Sequence, residues 1–146
     1  EKIPGKEEVC IVPGAGAAGG LGAGLNALLN VSLVSGIEMI LETIHFDSMI
    51  EDSDLIITGE GQIDGQSLRG KAIFGISKYA KLKGIPLCVV TGQALDEQLD
   101  AAQNLGISGI FTINRKALPF SESKYHSEVN LRYTIRNILH FAKAIR

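Results

Sequence analysis

Cysteine is scarce in this 146-residue chain, and the two present sit inside apolar strings, Val9-Cys10-Ile11-Val12 and Leu87-Cys88-Val89-Val90. That excludes a disulfide-stapled secreted module. A chain of this length buries about 68–70% of its unfolded surface, so both cysteines are expected as buried thiols. Long apolar runs are also missing. No stretch approaches the roughly 18 residues of a membrane-spanning helix, and no signal peptide is present, so a soluble cytoplasmic protein with no membrane partner is expected. Charge of one sign is missing too: the formal net charge is −2 and the isoelectric point about 5.9. Without a basic stripe, nucleic acid is not an expected partner. The hydrophobic fraction of 45% and charged fraction of 21% are those of an ordinary globular domain.

Glycine, in contrast, is abundant at 17 residues, and much of it is clustered. The chain opens at Glu1, without a methionine, in a polar stretch, which reads as a piece of something larger. Val9–Val12 reads as a short strand or extended lead-in stopped by Pro13. Residues 13–22 (Pro-Gly-Ala-Gly-Ala-Ala-Gly-Gly-Leu-Gly) then lead into Leu21, Leu25, Leu28 and Leu29 at helical spacing. This predicts a glycine-rich turn opening a helix, whose first amides and positive dipole end could receive an anion. Ser35 and Glu38 have capping-box spacing ahead of a second helix carrying Ile37, Ile40, Leu41 and Ile44. A short helical turn is expected near Asp47–Asp52.

From Ser53 the pattern alternates. Leu55–Thr58 is expected as a strand buried on both faces and stopped by Gly59. A helix with Ile73, Ile76, Tyr79 and Ala80 follows, with Gly84 as its C′ residue. Leu87–Thr91 is the next strand, then a helix with Leu95, Leu99 and Ala102, and a third strand at Gly109–Ile113. A last helix carries Leu131, Ile135, Ile138, Leu139, Ala142 and Ile145. Strands separated by crossover helices must run parallel, so half of a doubly wound α/β sheet is predicted.

Chemistry concentrates between the first strand and its helix. Glu60, Asp64, Arg69 and Lys71 fall within thirteen positions, spaced by Gly59, Gly61, Gly65 and Gly70, at the carboxyl end of a strand, where open α/β sheets bind ligands. Glu60 and Asp64 could hold Mg²⁺ or accept a hydroxyl proton, or bond the amides of their own loop. Gly65 to Ala72 misses the P-loop pattern, because Ala72 replaces the hydroxyl residue and the strand ends too early. Gly14, Gly16 and Gly19 fit the dinucleotide string, yet the second strand and its terminal acid are missing. Close helix packing and anion binding are the two other readings of that turn. His45, His126 and His140 lack ligand spacing, the latter two falling on the last helix, and Ser67 has no histidine nearby. Lys116, Lys124, Arg132 and Arg136 read as solvated charges.

Together, residues 13–22, Gly36-Ile-Glu38, the stretch Asp54 to Ser67 with Gly70-Lys71, and Gly106 to Ile113 resemble the bacterial glycerate kinase family, over nearly the whole chain. The resemblance implies transfer of the γ-phosphoryl of ATP, with Mg²⁺, to a hydroxyl of D-glycerate, giving 2- or 3-phosphoglycerate. Family members are much longer, and their amino-terminal half carries an Asp-Ser-Phe-Lys type segment with no counterpart here. Gln62 stands where the family often has a basic residue. The resemblance therefore implies a carboxy-terminal portion. Residues 1–52 would be a glycine-rich helical segment of a second domain, and 53–146 a Rossmann-like portion of parallel sheet with flanking helices. It implies catalytic roles for Glu60, Asp64 and Lys71, with Glu60 and Asp64 on the metal. Substrate or phosphate contacts are implied for Gly14, Gly16, Ala17, Ala18, Gly19, Gly20, Gly59, Gly61, Gln66, Ser67 and Arg69. The remainder of the parent chain is an expected partner, and exposed strand edges make a homo-oligomer another. The rival readings are an anion-binding α/β module without catalysis and an inactive fragment of the kinase.

Overall fold

In the computed structural model, residues 7–29, 31–63, 72–94 and 99–145 are described. The alternating part folds as read. Strands β1 (Ile56–Ile63), β2 (Leu87–Ala94) and β3 (Gly109–Thr112) form one parallel sheet in the order β1-β2-β3. Ahead of it run helices α1 (Ala17–Leu29), α2 (Gly36–Thr43) and α3 (Phe46–Met49). Helices α4 (Ala72–Lys83) and α5 (Leu99–Asn104) alternate with the strands. A short α6 (Phe120–Ser123) and the long α7 (Ser127–Ala144) close the chain. Gly84 takes the left-handed conformation expected after α4, with φ +67°.

Period-two alternation along β2 divides the apolar residues between two cores. Leu87 and Val89 pack with Ile73 and Ala80 of α4 and Ala102 of α5. On the other face Cys88 and Val90 pack with Ile57, Phe111 and, from α7, Ile135 and Ile138. Cys88 is a free buried thiol, and burial pushes its pKa up. The side chain of Cys10 lies outside the described residues.

Four local expectations are corrected. Glu7–Ile11 is a 3₁₀ turn, not a strand, and among the described residues no strand pairs with its backbone; Val12 N–H returns to Val9 O at 3.3 Å. β1 is not buried on both faces. It is an edge strand, half-buried over Ile56–Thr58, since among the described strands only β2 has one on each side. The Ser35–Glu38 capping box is not formed; Ser35 makes no side-chain cap and Glu38 pairs with Lys78 of α4. That choice follows from docking: α2 lies so close to α4 that a Cβ on Gly75 would stand 2.7 Å from Ile37 Cγ1. Finally, His126 ends the 3₁₀ turn Lys124–His126 and does not lie within the last helix.

Candidate functional site

Gly59 and Gly92 do not end their strands. β1 and β2 continue to Ile63 and Ala94, with Glu60 opposite Thr91 and Gln62 opposite Gln93. Ile56 and Ile63 belong to the same core although seven positions apart, as do Leu87 and Ala94. Strict alternation would put such residues on opposite faces, so each strand switches face between these residues. Here the two backbones nearly touch. A Cβ on Gly92 would lie 2.7 Å from the Gly61 carbonyl oxygen, closer than any side chain permits.

Beyond this crossing lies a groove of about 580 Å³ at the carboxyl ends of all three strands, lined among others by Gln62, Gln93, Asn114, Phe120 and Ser127. Its wall is fixed by hydrogen bonds. Asn114 Nδ2 donates to Gly92 O at 2.7 Å, joining the loop after β3 to β2, and Thr91 Oγ1 donates to Gln93 O at 2.9 Å. Carboxyl ends of parallel strands are where such folds hold their ligands.

The acids and cations read from the sequence divide around this place. Gly59, Glu60 and Gly61 lie within β1, so Glu60 is a strand residue and not a loop residue. Its carboxylate is half-buried and has no ion pair or side-chain hydrogen bond among the described residues. Asp64, Gln66, Ser67, Arg69 and Lys71 lie outside the described residues. Among the described residues no three His, Cys, Asp or Glu side chains cluster as a metal site. This does not conflict with Mg²⁺, which takes one or two carboxylates together with substrate phosphates and waters.

The glycine-rich turn is folded but unlike a regular helix start. Ala18, Gly19 and Gly20 have φ of 51°, 68° and 91°, three successive left-handed residues inside α1. Glycine adopts this freely, whereas Ala18 is strained by about 1–2 kcal/mol. Ala17 N–H donates to Gly14 O at 3.0 Å and Ala23 N–H to Ala15 O at 3.1 Å, closing the turn upon itself. Gly16, Ala17, Ala18 and Gly19 are exposed. These hydrogen bonds remain within the segment, and none of them reaches Gly59–Ile63.

One segment escaped the sequence reading. Asn114 and Arg115 follow a predicted parallel strand directly and carry no expectation from the sequence, while Lys116 beside them is exposed, as a solvated charge should be. Their position at its carboxyl end was the available signal.

The model of the Glycerate kinase family matches residues 2–143. The chain belongs to the glycerate kinase family. Among its relatives, the glycerate kinase of Halalkalibacterium halodurans is 39% identical over 132 residues, covering 90% of this chain and 34% of that protein. The glycerate 2-kinase of Escherichia coli K12 is 37% identical over 127 residues, 87% of this chain and 33% of that protein. The fold agrees with a crystal structure of a candidate glycerate kinase 2 from Salmonella typhimurium LT2, with a TM-score of 0.64 and 31% identity. That match covers 90% of this chain and 33% of the other. The chain thus spans about a third of the length of these family members.

Proposed function

We propose that this chain is the carboxy-terminal portion of a cytoplasmic glycerate kinase that transfers the γ-phosphoryl of ATP to a hydroxyl of D-glycerate. The observation carrying the proposal is the family match over residues 2–143, coupled with a groove at the carboxyl ends of the strands. Phosphoryl transfer asks a protein for positioning and charge neutralisation more than for covalent chemistry. Glu60, without an ion pair among the described residues, and Asp64 four residues on hold Mg²⁺ or take the proton of the attacking hydroxyl. Lys71 and Arg69 balance phosphate charge, while Gly59, Gly61, Gln66 and Ser67 line the approach. The backbone of Gly14, Gly16, Ala17, Ala18 and Gly19, exposed, and of Gly20, half-buried, receives an anionic group, the glycerate carboxylate or a phosphate. Mg²⁺, when bound, neutralises charge on the transferring phosphoryl group. The glycerate hydroxyl oxygen forms the new bond to phosphorus as the bond from phosphorus to the ADP oxygen breaks.

Residues 1–52 belong, in this reading, to a second domain, and the remainder of a longer chain is the partner of the present one. The 146 residues alone should therefore release no ADP from ATP and glycerate in a coupled assay, while the full-length protein should; turnover by the short chain would refute the division. In the full-length protein, Asp64→Asn should lower turnover at least about 10²-fold. Near-normal turnover would remove Asp64 from the mechanism.

A further inference from the structure

A second, smaller cavity of about 240 Å³ adjoins the groove, sharing Asn114, Leu118 and Ser123 with it. Its remaining lining is Arg115, Lys116, His126 and Asn130, so its polar side chains are all potential hydrogen-bond donors and none is a carboxylate. Of the acids close in sequence to lining residues, Glu122 is exposed without an ion pair among the described residues and Glu128 is engaged with Arg132 at 3.1 Å; neither lines the cavity. Among the described residues neither Arg115 nor Lys116 joins an ion pair. Arg115 is nonetheless held in place, with its guanidinium carbon 4.3 Å from the centre of the Tyr133 ring. Stacking leaves the guanidinium edge free to donate and limits the rotamer freedom lost when it does. The floor is fixed by the Asn114 bond to Gly92, which ties the loop to the sheet. An uncompensated guanidinium and ammonium converging on one concavity repel each other, and an anion there relieves that repulsion.

We infer that this cavity is a binding subsite for a phosphate group, with Arg115 and Lys116 as its charged donors, His126 and Asn130 completing the shell, and Asn114 as a positioning residue. A tetrahedral, multiply charged phosphate can accept from all four donors, whereas a carboxylate offers two oxygens. Because the cavity adjoins the groove at the strand ends through shared lining residues, and granting the kinase reading above, the phosphate belongs to the nucleotide. This clause alone depends on that reading; the anion site does not.

Titration of the 146-residue chain with inorganic tripolyphosphate, followed by amide and side-chain NMR resonances, should move Asn114, Arg115, Lys116, His126 and Asn130 in a saturable manner. Arg115→Gln with Lys116→Gln should weaken binding at least about tenfold. Arg136→Gln with Lys143→Gln, the same charge change in a separate patch on α7, should leave it within about twofold. Equal weakening by both pairs, or shifts centred elsewhere, would overturn the site. Were the first pair to perturb the fold, seen as lost resonance dispersion, Lys116→Gln alone serves, because that side chain is exposed. In the full-length protein, the first pair should raise the KM for ATP and leave that for D-glycerate near its original value. ATP turnover with an unchanged KM would reject the subsite and keep the kinase. Tripolyphosphate bound at the cavity and not displaced by ATP would keep the anion site and reject its link to the nucleotide. D-glycerate displacing tripolyphosphate would show the cavity to be a carboxylate site and overturn the proposal.

Discussion

The sheet and the glycine-rich segment before it have comparably apolar sequences and opposite fates. Leu87 and Val89 are fully buried on one face of the sheet, where α4 and α5 close over both. Leu28 and Leu29 are 76% and 66% exposed, and α1 buries none of its residues. The apolar stripe that called a helix there is present, but nothing among the described residues covers it. The sheet completes its core with elements close by in sequence, whereas no residue of α1 joins either core among the described residues. The left-handed turn at Ala18–Gly20 belongs to this second region.

The sharpest way to break this contrast is to delete matched leucine side chains. Leu87→Ala should cost about 2–5 kcal/mol in urea unfolding, the range for a buried leucine leaving a cavity. Leu28→Ala should remain within about 0.5 kcal/mol. Equal costs would mean that α1 is packed after all. Next in size is Gly92→Ala, whose new methyl carbon must push the Gly61 carbonyl away. About 1–3 kcal/mol of destabilisation should appear as a lower unfolding midpoint, because backbone on the opposing strand cannot step aside as a side chain can. The smallest effect is reserved for Ser35→Ala. Loss of a working N-cap costs about 1 kcal/mol, but Ser35 caps nothing, so the midpoint should barely move. A full capping penalty would show that the box forms in solution.

These outcomes bear on what could be read from residues alone. The alternation of strands and helices, the parallel sheet and the C′ role of Gly84 were legible because each rests on local chemistry: apolar runs, turn residues and the reach of a crossover. Strand ends were not. Gly59 and Gly92 look like terminators, yet pairing along β1 and β2 outweighs the weak strand propensity of glycine. The capping box failed for a similar reason, since an interhelical partner for Glu38 lies 40 residues away. Glu60 stands out in the sequence by type and spacing, yet it is a strand residue that does not line the groove. Asn114 and Arg115 were overlooked because a polar residue on a loop carries no signal until its neighbours, here Gly92 and Tyr133, are known.

The order of elements and the family are thus set by the linear pattern, for backbone preference and motif spacing act over a few residues at a time. Which strand lies at the edge, where β1 and β2 switch face, and which cations share a cavity were decided only by folding. Those properties depend on groups tens of residues apart meeting in space, and no local preference encodes such a meeting.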